Sequence, residues 1–138
     1  MSVRAFFDTN IMIYRYADNE QEKQAVSREI VNNAAECVVS TQILNEMNNV
    51  MIKKWRMTIE AIKTVQGDIR RINKVAHIGE DTIDKAIDLN ARYKFSYYDC
   101  LMLASALEND CGVIYTEDMN DSQIIDNTLK IVNPFRIT

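Results

Sequence analysis

Residues 3 to 14 read Val-Arg-Ala-Phe-Phe-Asp-Thr-Asn-Ile-Met-Ile-Tyr, and this stretch decides the fold. The largely apolar residues 3–7 predict a strand, and Asp8, Thr9 and Asn10 are residue types that favour the start of a helix. The apolar-rich residues 11–14 that follow belong to that helix. A strand that runs directly into a helix is the beginning of a βαβ unit, which is typical of a parallel sheet.

The same alternation continues along the chain, because apolar residues recur at helical spacing between short apolar runs. Further helices are predicted over 20–33, 42–55, 59–72, 83–91 and 96–107, and further strands over 37–39, 75–78, 113–116 and 129–132. This order predicts one three-layer α/β/α domain over residues 1–138, with a mainly parallel sheet of four to five strands.

Composition and charge argue against some classes of protein, including disulfide-rich and membrane-spanning proteins. The chain has 138 residues, 16 Lys and Arg, 20 Asp and Glu, and a net charge of −4, which does not favour long-range attraction to nucleic acid. A divalent cation held by clustered carboxylates would reverse the local field. Three scattered cysteines indicate no disulfide framework, and no signal or membrane-spanning run is found. We therefore expect a soluble, cytoplasmic protein without a membrane partner.

Two carboxylates come directly after predicted strands. Asp8 follows the first strand and Asp118 follows the strand over 113–116. Ligands of open parallel sheets bind at the carboxyl ends of the strands, so both acids are expected on one edge. Each acid has a second interpretation, because Asp at such a corner commonly caps a helix.

Two further acids lie on predicted helices. Glu46 borders the buried face of its helix, where a glutamate side chain can simply reach outward to water. Asp99 lies in a helix with no obvious polar face, so its charge needs a partner. The pattern Ser96-x-x-Asp99 also matches a capping box, and a capping acid can still bind metal.

The combination of Asp8, Glu46, Asp99 and Asp118 indicates a site for Mg²⁺ or Mn²⁺. Hard cations prefer oxygen ligands and leave coordination positions open for a phosphate group. Such a site can hydrolyse a phosphodiester with no further cofactor. Other chemistries are poorly supported, because His77 is the single histidine and no glycine-rich phosphate loop follows the first strand.

At this point the chain resembles PIN-domain nucleases, and in particular their VapC-like toxin branch. The residues that carry the resemblance are Phe7-Asp8-Thr9-Asn10, Leu44-Asn45-Glu46, Tyr98-Asp99-Cys100-Leu101-Met102 and Tyr115-Thr116-Glu117-Asp118.

The resemblance implies that Asp8, Glu46 and Asp99 are the principal metal-binding acids and that Asp118 is the fourth. It makes Asn10 and Thr116 their hydrogen-bonding neighbours. It also implies an endoribonuclease that cleaves RNA, a homodimer, and an antitoxin protein that blocks the site.

Two other functions fit parts of the same pattern. A module of the same fold could bind RNA or protein without cleaving anything. A phosphoacceptor signalling domain also gathers acids and Mg²⁺ on a doubly wound sheet, but an adjacent acidic pair is expected after its first strand. Here Asp8 is followed by Thr9.

Overall fold

A six-stranded sheet forms the centre of the computed structural model, which describes residues 3–136. The strand order is β3-β2-β1-β4-β6-β5. All neighbouring strands are parallel except β5, which pairs antiparallel with β6 at one edge. The strands are β1 (Arg4–Phe7), β2 (Glu36–Ser40), β3 (Lys74–Ala76), β4 (Val113–Tyr115), β5 (Ile124–Ile125) and β6 (Leu129–Val132).

Helices connect the strands and cover the sheet. The α-helices within residues 3–136 are α1 (Thr9–Tyr16), α2 (Gln21–Asn33), α3 (Thr41–Asn49), α4 (Ile59–Ile72), α5 (Glu80–Tyr93) and α6 (Tyr97–Glu108). A π-helical segment, Val50–Lys54, directly extends α3.

The connections determine which face each helix covers. The chain steps from β1 to β2 and then to β3 in one direction, whereas β4 lies on the other side of β1. Crossovers between parallel strands are right-handed, so α1 to α4 cover one face and α5 and α6 cover the other. In agreement, α1 packs on α2, α5 packs on α6, and α6 contacts both β2 and β4.

The core is centred on β1. Ala5, Phe6 and Phe7 are at most 1% exposed, and the ring of Phe7 stacks on Tyr115 of β4 with ring centroids 5.6 Å apart. The three cysteines are buried and free. Between residues 3 and 136, no helix combines the length and apolar character needed to span a bilayer.

The predicted α/β/α architecture with a mainly parallel sheet is confirmed, and two details differ. The sheet has six strands because β5 is added, and its two residues are too short to give a periodic signal. The helix predicted over 42–55 changes to π-helical hydrogen bonding at Val50. Apolar spacing does not distinguish that change from a continuing α-helix.

Candidate functional site

The site lies where the strand order reverses. Asp8 comes directly after β1, and its backbone N–H donates to the carbonyl oxygen of Tyr115 in β4 at 3.1 Å. Asp118 lies three residues after the end of β4, so both predicted strand-end acids lie at the same edge of the sheet. In doubly wound sheets this reversal point opens a crevice in which ligands bind.

Both carboxylate oxygens of Asp8 accept hydrogen bonds. Asp8 is 5% exposed and caps α1, with Oδ1 accepting the N–H of Thr9 at 2.6 Å. Oδ2 accepts the hydroxyl of Thr116 at 2.7 Å. Burial raises the pKa of Asp8 from 3.8 to about 6, although these two hydrogen bonds lower it. The capping interpretation is therefore correct, and the capping acid also faces the site.

Glu46 reaches the site from α3. Its Oε1 accepts the hydroxyl of Thr9 at 2.5 Å, and its Oε2 accepts Nε2 of Gln42 at 3.3 Å. Gln42 lies one turn earlier on α3, and its Nε2 also approaches the carbonyl oxygen of Tyr98 in α6 at 3.3 Å. These bonds connect α3 to α1 and to the start of α6.

Asp99 lies in the first turn of α6. Its N–H donates to Oγ of the N-cap residue Ser96 at 3.2 Å, as the capping pattern predicted. Burial raises the pKa of Asp99, a hydrogen bond from the Ser96 side chain lowers it, and the charges of Asp118 and Glu46 raise it further.

Asp118 is exposed, and it is oriented by both neighbours predicted for the site. Its Oδ2 accepts Nδ2 of Asn10 at 2.6 Å. Its N–H donates to Oγ1 of Thr116 at 3.2 Å, so the hydroxyl that orients Asp8 also orients Asp118. Asn10 and Thr116 therefore form hydrogen bonds with two of the four acids, Asp8 and Asp118.

A cleft of about 490 Å³ joins the four acids, and none of its lining residues is Lys or Arg. The charges of Glu46 and Asp118 raise the pKa of both Asp8 and Asp99, which places the four carboxylates in one electrostatic group. The lining residues are Asp8, Thr9, Asn10, Ile13, Gln42, Asn45, Glu46, Asn49, Val50, Tyr98, Asp99, Met102 and Asp118.

The donor set of the cleft fits a hard divalent cation, since carboxylate and amide oxygens predominate and no Lys or Arg is among the lining residues described. Between residues 3 and 136, however, no three His, Cys, Asp or Glu side chains are close enough together to hold an ion as they stand. The carboxylates of Asp8, Glu46 and Asp118 are hydrogen-bonded to neutral groups instead. Binding an ion would therefore require side-chain movements.

Sequence reasoning missed several residues that shape the site. Gln42 could have been found, because it lies four residues before Glu46 on one helix and such pairs interact. Thr9 was interpreted only as a helix-start residue, and its bond to Glu46 spans 37 positions. Glu117 was also missed: Tyr14 donates its hydroxyl to Oε1, and Lys23 contacts Oε2 at 3.0 Å.

The fold and cleft define a class of protein: a three-layer α/β/α domain that gathers acids at the reversal point of a mainly parallel sheet. The model of the PIN domain family matches residues 5–124. The chain therefore belongs to the PIN domain family.

Several solved structures share the fold. A toxin–antitoxin complex from Klebsiella pneumoniae is 21% identical with a TM-score of 0.72, covering 96% of this chain and 99% of that one. VapC20 from Mycobacterium tuberculosis, described as a sarcin-ricin loop cleaving toxin, is 16% identical with a TM-score of 0.65, covering 83% and 91%.

VapBC2 from Rickettsia felis, bound to a DNA fragment from its promoter, is 12% identical with a TM-score of 0.67 and covers 94% of this chain and 99% of that chain. No curated protein matches the chain by sequence. At these identities the structural likeness establishes the fold.

Proposed function

We propose that this protein is a Mg²⁺- or Mn²⁺-dependent endoribonuclease and the toxin of a toxin–antitoxin pair. The observation that carries the proposal is the cleft in which Asp8, Glu46, Asp99 and Asp118 meet without a neutralising Lys or Arg. Membership of the PIN domain family supports it, as does the fold shared with a toxin described as cleaving the sarcin-ricin loop.

The residues of the cleft have distinct roles in this mechanism. A divalent cation bound there would offset phosphate charge and promote attack by water on phosphorus. Asp8, Glu46 and Asp99 would hold the cation, while Asp118 would accept the proton of the attacking water. Thr116 and Asn10 keep Asp8 and Asp118 in place through their hydrogen bonds. The bond that breaks joins phosphorus to the leaving sugar oxygen.

The decisive experiment is cleavage of mixed cellular RNA by the purified protein, freed of any co-purified partner, in Mg²⁺ or Mn²⁺. Discrete products are expected, and they should be absent with EDTA and with Asp99→Asn. Asp84→Asn is the matched control, because Asp84 is an exposed acid on α5 outside the cleft. Equal cleavage by Asp99→Asn and the unmodified protein would contradict the carboxylate mechanism.

A non-catalytic RNA- or protein-binding module is the second candidate. It is favoured by one observation, namely that no three acids within residues 3–136 are arranged to hold an ion as they stand. Titration with Mn²⁺ separates the two candidates. A folded protein that neither binds Mn²⁺ nor cleaves any RNA supplied would favour the module.

We also propose an antitoxin partner and a homodimer. The solved structures from Klebsiella pneumoniae and Rickettsia felis are described as toxin–antitoxin assemblies, which supports the first. Ile83 and Ile87 lie one turn apart on α5 and are 40% and 55% exposed, which gives an apolar strip suited to self-association. Light scattering of Ile83→Lys against the unmodified protein tests the dimer, which the lysine should dissociate.

A further inference from the structure

A second, smaller pocket adjoins the carboxylate cleft. It has a volume of about 210 Å³, and Asn10 and Ile13 line both the pocket and the cleft. Asn10 also donates to Asp118 at 2.6 Å. A group bound in this pocket would therefore be an immediate neighbour of whatever occupies the carboxylate site. We call it the Trp55 pocket, lined by Asn10, Ile13, Tyr14, Glu20, Lys54 and Trp55 among others.

The side chains of the Trp55 pocket combine an aromatic ring, a cation and polar edges. Trp55 is half-buried against the core, and no aromatic partner or cation packs on its ring within residues 3–136. The Tyr14 ring, in contrast, is already packed by Phe135 and Lys23. Trp55 is thus the ring available for stacking.

Lys54 supplies a positive charge that the carboxylate cleft lacks. Its side chain forms no ion pair in the described part of the chain. Unpaired RNA bases are commonly bound by stacking on an aromatic ring beside a cation that contacts the backbone phosphate. Asn10 and Glu20 also line the pocket, and their polar groups can hydrogen-bond to the edge of a base.

The π-helical segment explains why these residues reach the pocket. The N–H of Trp55 donates to the carbonyl oxygen of Val50 at 3.0 Å, a five-residue bond that moves Lys54 and Trp55 out of α-helical register. Val50, at the start of the same segment, lines the carboxylate cleft. Segments of π-helix are frequent at functional sites. Here one such segment joins the cleft to the pocket.

We propose that the Trp55 pocket holds one unpaired base of the RNA substrate, next to the phosphate that lies at the carboxylates. This inference rests on the proposed function and adds the place on the chain that would contact an unpaired nucleotide beside the cleavage site. The volume supports a single ring system, because pockets for larger ligands measure about 300–1,000 Å³.

Tryptophan fluorescence tests the proposal directly, because Trp55 is the single tryptophan of the chain. The full-length Asp99→Asn variant is titrated in Mg²⁺ with an unpaired hexaribonucleotide, with the same strand in a duplex, and with a hexamer whose sugars carry no bases. Saturable quenching by the unpaired strand alone is expected. Lys54→Ala should weaken this binding several-fold, whereas Lys53→Ala, which removes an equal charge outside the pocket, should not.

Cleavage assays supply a second readout. Trp55→Leu should lower cleavage of unpaired RNA by about 10-fold or more, mainly through a higher KM, and Trp55→Phe should restore most of it. Circular dichroism confirms that each variant is folded. RNA cleavage without quenching, together with normal cleavage by Trp55→Leu, would overturn the pocket and leave the proposed nuclease intact.

The remaining outcomes separate the two proposals. Quenching without cleavage would support the pocket and count against the nuclease. Quenching by a co-purified protein partner, with none by any oligonucleotide, would assign the pocket to a protein side chain and overturn the base-binding inference.

Discussion

Thr116 donates its hydroxyl to Oδ2 of Asp8 at 2.7 Å and accepts the N–H of Asp118 at 3.2 Å with the same oxygen. Thr116 is completely buried, so water cannot take over either bond. One side chain therefore fixes the acids that follow two neighbouring parallel strands.

Thr116→Val should remove both bonds while nearly preserving the volume. Loss of a hydrogen-bonding neighbour of a metal ligand costs about 10- to 100-fold in metal affinity or activity. We expect a loss of that size in Mn²⁺ affinity, measured by calorimetry. Thr116→Ser keeps the hydroxyl and should retain most of the affinity. Unchanged Mn²⁺ binding by Thr116→Val would mean that the hydroxyl does not orient the acids.

The raised pKa of Asp8 predicts how the free energy of unfolding depends on pH when no metal is present. The pKa of Asp8 is raised from 3.8 to about 6 in the folded state, so the unfolded chain releases this proton first. Stability should therefore fall as pH rises from about 4 to about 6. The loss is about 3 kcal/mol at 1.36 kcal/mol per pKa unit. Urea unfolding in EDTA measures it, and Asp8→Asn should abolish this part of the slope.

The effect of metal on stability should have the opposite dependence on pH. A cation competes with the proton on Asp8, whose pKa is about 6, so binding needs the ionised carboxylate. Adding Mn²⁺ should therefore raise the melting temperature more at pH 7 than at pH 5. A larger rise at pH 5 would exclude Asp8 as a ligand.

Ser96→Ala tests whether Ser96 contributes to the site in addition to capping α6. Loss of an N-cap costs about 1 kcal/mol. It also removes the hydrogen bond that lowers the pKa of Asp99, so the acid limb of the pH profile of RNA cleavage should move to higher pH. Thr58→Ala is the control, because Thr58 caps α4 by accepting the N–H of Ala61. It should lose similar stability and keep cleavage unchanged.

The ion pair of Lys23 with Glu117, at 3.0 Å, should affect activity more than stability. Glu117 lies between Thr116 and Asp118 in the chain. Loss of its ion pair should therefore make the positions of both neighbours less well defined. We expect Lys23→Met to lower kcat several-fold while unfolding free energy changes by less than about 1 kcal/mol. Arg71→Met breaks the surface pair with Asp68 and should leave kcat unchanged. Equal kcat for both variants would contradict this role of Lys23.

Much of the fold follows from sequence because the alternation of strands and helices is regular. The strand over 129–132 was predicted with its observed bounds. Asp8 and Asp118 were expected at one sheet edge because each follows a strand, and the structure places both there. The topology that brings β1 beside β4 is what makes them neighbours.

The details of the site could not be predicted because they depend on side-chain directions in three dimensions. The bond from Thr9 to Glu46 joins α1 to α3, and neither helix alone carries a signal for it. The orientation of Trp55 depends on a change from α- to π-helical bonding, to which apolar periodicity is insensitive.

The order of the strands also sets when the cleft can exist. Asn10 and Asp118 are 108 positions apart in the chain, and β4 must pair beside β1 before they meet. A growing or partly unfolded chain therefore holds its acids apart and has no cleft. Local opening of β4 would disassemble it in the same way. The cleft is thus complete only while β4 is paired beside β1.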